Sequence, residues 1–107
     1  MAVVLCPCPY APCALGIIVM KLLFLGDVIG RAGRAAVAER VPGLRDQLGL
    51  DFVVVNGENA TNGAGLSPPH AQALLAAGVD CLTLGDHAFD QKDMLPFIDQ
   101  EPRIIRP

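Results

Sequence analysis

The sequence predicts an α/β fold with a parallel sheet built from βαβαβα units, and three observations predict it. Short apolar runs recur at Lys21–Leu25 (KLLFL), Asp51–Asn56 (DFVVVN) and Cys81–Leu84 (CLTL), and Ile104-Ile105 begins a fourth. Segments with helical spacing of apolar residues separate these runs. Each of the first three runs gives way to a glycine beside an acid: Gly26-Asp27, Gly57-Glu58 and Gly85-Asp86. Apolar runs of this length bounded by turn residues read as buried strands. Helical crossovers between them imply a parallel sheet, expected here to be covered on both faces.

The elements follow in order. Lys21–Leu25 is the first strand. Ala32–Leu48 reads as helix, with Ala36, Val37, Val41, Leu44 and Leu48 near helical spacing. Pro42 lies inside it and is expected to kink or divide it, because proline lacks the N–H and crowds the preceding turn. Gly49 closes it. Asp51–Asn56 is the second strand, rich in β-branched residues. Pro68-Pro69 open a second helix through Ala77, since proline fits the first helical turn, and Gly78 ends it. Cys81–Leu84 is the third strand, Lys92–Asp99 a short third helix, and Ile104-Ile105 the start of a fourth strand.

Composition narrows the function. A chain of 107 residues suffices for one domain. With 52% hydrophobic and 18% charged residues it is not a disordered chain. Eight basic against eleven acidic residues give a net charge of −3, so nothing general favours nucleic acid or an acidic membrane surface. One tyrosine and no tryptophan leave little for base stacking.

The first nineteen residues, MAVVLCPCPYAPCALGIIV, differ from the rest. They carry no charged side chain, and Pro7, Pro9 and Pro12 forbid a continuous helix. The apolar run after Pro12 meets Lys21 well short of the roughly 20 residues that span a bilayer. No basic stretch precedes it, as a signal peptide requires. Residues 1–19 therefore read as an extension outside the domain, either a misassigned start upstream of Met20 or a disordered or membrane-touching tail, and residues 20–107 as the domain. Cys6, Cys8 and Cys13, with Cys81 far away, make neither a disulfide framework nor a paired zinc site.

In a parallel sheet the strand ends share one edge, and ligands bind outside the carboxyl ends. The segments following the strands are GDVIGRAG, NGENATNGAG and LGDHAFD. The topology thus gathers Asp27, Glu58, Asn59, Asp86 and His87 on one edge. Converging carboxylates repel and stay ionised only beside a cation. Oxygen donors with one imidazole suit manganese, iron or magnesium. The glycines would let backbone approach a phosphate. Against this, each acid could instead cap the next helix. Arg31 and Arg34 stand equally as phosphate contacts or as solvated residues, and His70 reads as structural or solvated. The glycines at 26, 30 and 33 do not have dinucleotide-fingerprint spacing.

The combination of GDVIGRAG, NGENA, GDHAFD and a closing RP, spread over Met20–Pro107, resembles the N-terminal part of the YmdB-type metallophosphoesterases. This is a calcineurin-like branch associated with 2′,3′-cyclic-nucleotide phosphodiesterase activity. The resemblance implies a four-layer α/β/β/α sandwich, of which this chain is the N-terminal half, and two transition metals, iron or manganese. It implies Asp27 and Asn59 as ligands of the first metal, Glu58 as the carboxylate bridging both, and Asp86 as a ligand of the second. His87 is implied as the proton donor to the leaving group in a hydrolysis by metal-activated water. Asp86 stands where the family usually has asparagine, which adds a negative charge. The family's later histidine ligands have no counterpart here, so the chain reads as a fragment, expected to be inactive alone. The implied partner is a small phosphodiester or nucleotide, with no nucleic acid and no membrane; the implied location is cytoplasmic, and a homo-oligomer is compatible with all of this. Two other readings compete. A receiver-like regulatory domain also places acids at strand ends, but its paired acids after the first strand are missing. A non-catalytic fragment needs no site at all.

Overall fold

The structure is a computed structural model that describes residues 20–107 together with the strand Val3–Leu5. Its elements are β1 (Val3–Leu5), β2 (Leu22–Leu25), α1 (Gly30–Leu48), β3 (Phe52–Asn56), α2 (Pro68–Ala76), β4 (Cys81–Thr83), α3 (Met94–Ile98) and β5 (Ile104–Ile105). They form one five-stranded sheet in chain order, β1-β2-β3-β4-β5. Strands β2 to β5 are parallel, with Leu25 opposite Val55, Asn56 opposite Thr83, and Thr83 opposite Ile105. Strand β1 adds antiparallel to β2 at the edge, a pairing that nothing in the periodicity of residues 1–19 suggests. The other expectations for that segment, including its cysteine cluster, fall outside the described residues.

The parallel sheet is as expected, but its covering is not. Each crossover steps in the same direction along the sheet. Right-handed crossovers that always step one way lay their helices on one face. Burial alternates accordingly. Leu23, Leu25, Val53, Val55, Leu82 and Ile104 are buried on the helical side. Leu22, Phe24, Phe52, Val54 and Cys81, on the opposite side, are only half-buried, and Ile105 is exposed. The strands read as two-sided because both faces are apolar, yet the helices reach only one.

The buried face joins Val37 and Val41 of α1 with Ala71, Leu74 and Leu75 of α2 in a single core, closed at its ends by Leu66, Val79 and Met94. Pro42 does not divide α1, which runs unbroken for 19 residues. Pro42 and Ala38, whose carbonyl loses its partner, both lie on the exposed side, where water can satisfy that carbonyl. Gly49 ends α1 in the left-handed conformation at φ 60°, its N–H donating to Arg45 O. Pro68-Pro69 open α2. Helix α3 is shorter than Lys92–Asp99, because Lys92 and Asp93 belong to a turn.

The bottom of the sheet is fixed by one polar junction. Asp80, just before β4, accepts from Val53 N at 2.8 Å and pairs with Arg45 of α1. Arg45 also donates to Gly78 O at 2.8 Å. The pair is about two-thirds buried, so its geometry is held by packing as well as charge. Replacing Asp80 with alanine leaves the Val53 N–H without its acceptor and the Arg45 guanidinium with only Gly78 O. Urea unfolding should show a loss of about 1–3 kcal/mol, while Asp46→Ala on the exposed side of α1 should stay within about 0.5 kcal/mol.

Candidate metal centre at the carboxyl edge

The loops that follow β2 and β3 are tied to each other and to the end of β4 by backbone hydrogen bonds that run on past the strand ends. Val28 N donates to Asn56 O at 3.1 Å, Gly30 N to Asn59 O at 3.0 Å, and Gly57 N to Thr83 O at 3.0 Å. These bonds place the three glycine-acid pairs side by side.

Asp27 takes a left-handed backbone conformation, φ 50°. Aspartate tolerates this region better than most residues, but it is uncommon and tends to occur where function requires it. Its Oδ1 accepts from Asn59 Nδ2 at 2.8 Å. Asn59 thereby uses its amide N–H on Asp27, which leaves its carbonyl oxygen as the accepting end. Two of the expected residues, 32 apart in sequence, are thus in direct contact.

Glu58 is half-buried, and Asn56 Nδ2 approaches its Oε1 at 3.4 Å. Its other oxygen, Oε2, is buried with no hydrogen-bond partner, and so is Asn56 Oδ1. Both are acceptors. A buried carboxylate oxygen without a donor is costly, and such groups are normally paired or coordinate a metal. The two orphaned acceptors, Glu58 Oε2 and Asn56 Oδ1, fit a cation as the missing partner. Glu58, Asp27, Asn59 and Asp86 are the residues that could hold one.

Nδ1 of His87 is hydrogen-bonded to Asp90 Oδ2 at 2.7 Å. That hydrogen bond raises the imidazole pKa above its ordinary value, with further help from the charges of Asp86, Asp90 and Glu58. His87 therefore belongs to the same electrostatic neighbourhood as the two acids expected beside it. Asp86 is exposed on this edge. The convergence is nevertheless looser than the spacing implies: among the described residues no three histidine, cysteine, aspartate or glutamate side chains stand close enough to form a metal shell by themselves. Nothing cages these side chains at the open edge.

The capping alternative fails. The helices begin after Ile29, Ser67 and Asp93, and none has a side-chain cap bond. Asp27, Glu58 and Asp86 therefore cap nothing. Arg34 is half-buried, and its guanidinium donates to Ala60 O. Arg31 is exposed. His70 is structural. Thr61 Oγ1 sits 2.7 Å from His70 Nδ1 and accepts from Ser67 N at 2.8 Å, closing the loop after β3. Burial and then the Arg34 charge lower the His70 pKa.

Two residues join the site that sequence reasoning does not single out. Asn56 reads only as the end of a strand, and Asp90 only as part of a family motif. Each lies at close spacing from an expected residue, two before Glu58 and three after His87, and that spacing is the available signal.

Among the described residues no helix is long and apolar enough to cross a membrane. The chain is 42% identical over 88 residues to a 2′,3′-cyclic-nucleotide 2′-phosphodiesterase of Bacillus subtilis, a match covering 82% of this chain and 33% of that protein. A Mycoplasma genitalium protein named as a phosphatase/phosphodiesterase is also 42% identical over 88 residues, covering 82% and 31%. The chain thus spans about a third of the length of these relatives. Two crystal structures superpose on it. One is a hypothetical protein from Thermus thermophilus, with TM-score 0.75 and 40% identity over 82% of this chain and 34% of its own. The other is a novel phosphatase from Mycoplasma pneumoniae, with TM-score 0.78 and 40% identity over 82% and 31%. The model of the YmdB-like protein family matches residues 23–107, nearly all of the described chain, and the chain belongs to that family.

Proposed function

We propose that the protein, at its native length, hydrolyses phosphodiesters of the 2′,3′-cyclic-nucleotide class with two bound transition metals, iron or manganese. The observation that carries this reading is the buried, unpartnered Glu58 Oε2 on the same sheet edge as the Asp27–Asn59 and His87–Asp90 pairs. The activity named for the Bacillus subtilis relative supports the substrate class. The half-exposed apolar face of the sheet fits a second β-layer packed over it, as in an α/β/β/α sandwich. A cytoplasmic location and a small-molecule partner go with the reading.

In this mechanism Asp27 and Asn59 would hold one metal and Asp86 the other, with Glu58 serving both. When bound, the metals supply positive charge to the phosphate and an activated water. The chain's own task is then the leaving group. Asp90 holds Nδ1 of His87, which leaves the other ring nitrogen for the leaving group. His87, kept protonated to higher pH by Asp90, gives its proton to the departing alkoxide.

Three outcomes are expected. Metal analysis of the native-length protein should give more than one equivalent, and Glu58→Ala should lose most of both metals; retention of both would remove the bridging role. His87→Ala should lower cyclic-nucleotide turnover by about 10²–10⁴-fold with metal content kept. A nitrophenyl ester, whose leaving group needs no proton, should lose far less, and an equal loss on both substrates would contradict proton donation. The third concerns pH. His87 must be protonated to act, so activity should fall as pH rises through its raised pKa. Asp90→Asn removes the largest cause of that rise and should move the alkaline fall in a pH–rate profile to lower pH. The same sign holds for stability: the imidazolium–Asp90 pair contributes below the ordinary histidine pKa and is lost as pH climbs through the raised one.

A further inference from the structure

Gly85 lies between β4 and Asp86, and its need for glycine is not conformational. The glycines with positive φ among the described residues are Gly30, Gly49, Gly63, Gly65 and Gly78. The backbone at Gly85 is therefore open to any residue. The space is not. A Cβ built there would lie 2.7 Å from Glu58 Cδ and 2.9 Å from Glu58 Oε1, and its three nearest atoms all belong to that one carboxylate group. Real Cβ atoms do not approach this closely. At Gly57 the nearest neighbour is 3.6 Å away, and at Gly43 nothing lies within 4 Å. The absent side chain at Gly85 is the space that the Glu58 carboxylate fills.

That position is an unusual one for an acid. A glutamate at a sheet edge normally extends its carboxylate into water. Glu58 instead lays it against the backbone of the neighbouring loop, with Asn56 Nδ2 at 3.4 Å from Oε1 and Oε2 buried without a donor. Of the carboxylate's atoms Oε2 lies nearest to Gly85, and this packing keeps water from it. The glycines after the strands are expected to let backbone approach a phosphate; at Gly85 the approach is to a carboxylate of the same chain.

We propose that Gly85 is a positioning residue for Glu58: by lacking a side chain it leaves the space in which the Glu58 carboxylate lies against the sheet edge, Oε2 nearest to Gly85, and so sets where that carboxylate stands for a cation bound at the edge. This rests on the metal reading above, and it adds a residue that touches neither substrate nor metal. A methyl group at position 85 displaces the carboxylate while leaving its charge, its backbone and every other ligand in place.

The test has two arms on the native-length protein. In the first, metal is stripped with a chelator, and melting temperatures are compared for wild type, Gly85→Ala, Glu58→Ala and the double variant. The effect of Gly85→Ala should differ by about 4 °C or more between the wild-type and Glu58→Ala backgrounds, because the methyl has nothing to displace once the carboxylate is gone. Equal effects in both backgrounds overturn the proposal. If Gly85→Ala alone does not fold, folding of the double variant supports it and failure of both overturns it. In the second arm, Mn²⁺ binding is measured by calorimetry. Gly85→Ala should weaken it about 10–100-fold, and shortening the acid in the same background, Glu58→Asp with Gly85→Ala, should recover part of the loss. Unchanged Mn²⁺ affinity in Gly85→Ala overturns the positioning role. A wild type that binds no Mn²⁺, with melting effects still coupled, defeats the metal reading alone and leaves the Gly85–Glu58 contact standing.

Discussion

The sequential parallel pairing of β2 to β5 is the constraint on which the rest of the structure depends. Because every crossover steps in one direction, both long helices share one side and every strand ends on one edge. The core, the half-exposed opposite face and the collected acids all follow from that single rule of connection. Had the order reversed at any strand, the helices would have divided between the faces.

Much of this is legible in the sequence, and for identifiable reasons. Val53 to Val55 and Leu23 to Leu25 announce strands because β-branched and leucine-rich runs bounded by glycine have few other uses in a small domain. Pro68-Pro69 and Gly49 mark helix ends because their backbone constraints are local. What periodicity does not convey is which face is covered. Phe24 and Val54 are as apolar as Leu23 and Val53, yet the first pair is only half-buried. That distinction lies in the direction of the crossovers, which no single residue encodes. Pro42 departs from expectation for a related reason: its effect depends on whether Ala38 faces water, and that is set by how α1 rolls on the sheet.

The site is legible at the level of residue type and less so at the level of contact. Acids after each strand point to Asp27, Glu58 and Asp86, and the contact of Asp27 with Asn59 accords with their placement on one edge. Asn56 and Asp90 escape notice because each acts on a neighbour through its side chain, and neither stands out alone. Arg34 is ambiguous because an arginine on a helix reveals nothing of its partner until the loop beside it is placed. Here that partner is a backbone carbonyl. The same holds for His70, whose Thr61 partner is nine residues away.

The backbone bonds that tie the loops after β2 and β3 to each other and to the end of β4 also bear on how the edge moves. Val28 to Asn56, Gly30 to Asn59 and Gly57 to Thr83 extend the sheet's own ladder into segments that would otherwise be independent flaps. Gln91 Nε2, donating to Ala64 O at 2.7 Å, carries the tie on to the segment that bears His87. Loops linked in this way cannot open one at a time without breaking bonds to their neighbours. A displacement at Asp27 or Glu58 must therefore be shared sideways with the neighbouring loop rather than absorbed where it begins.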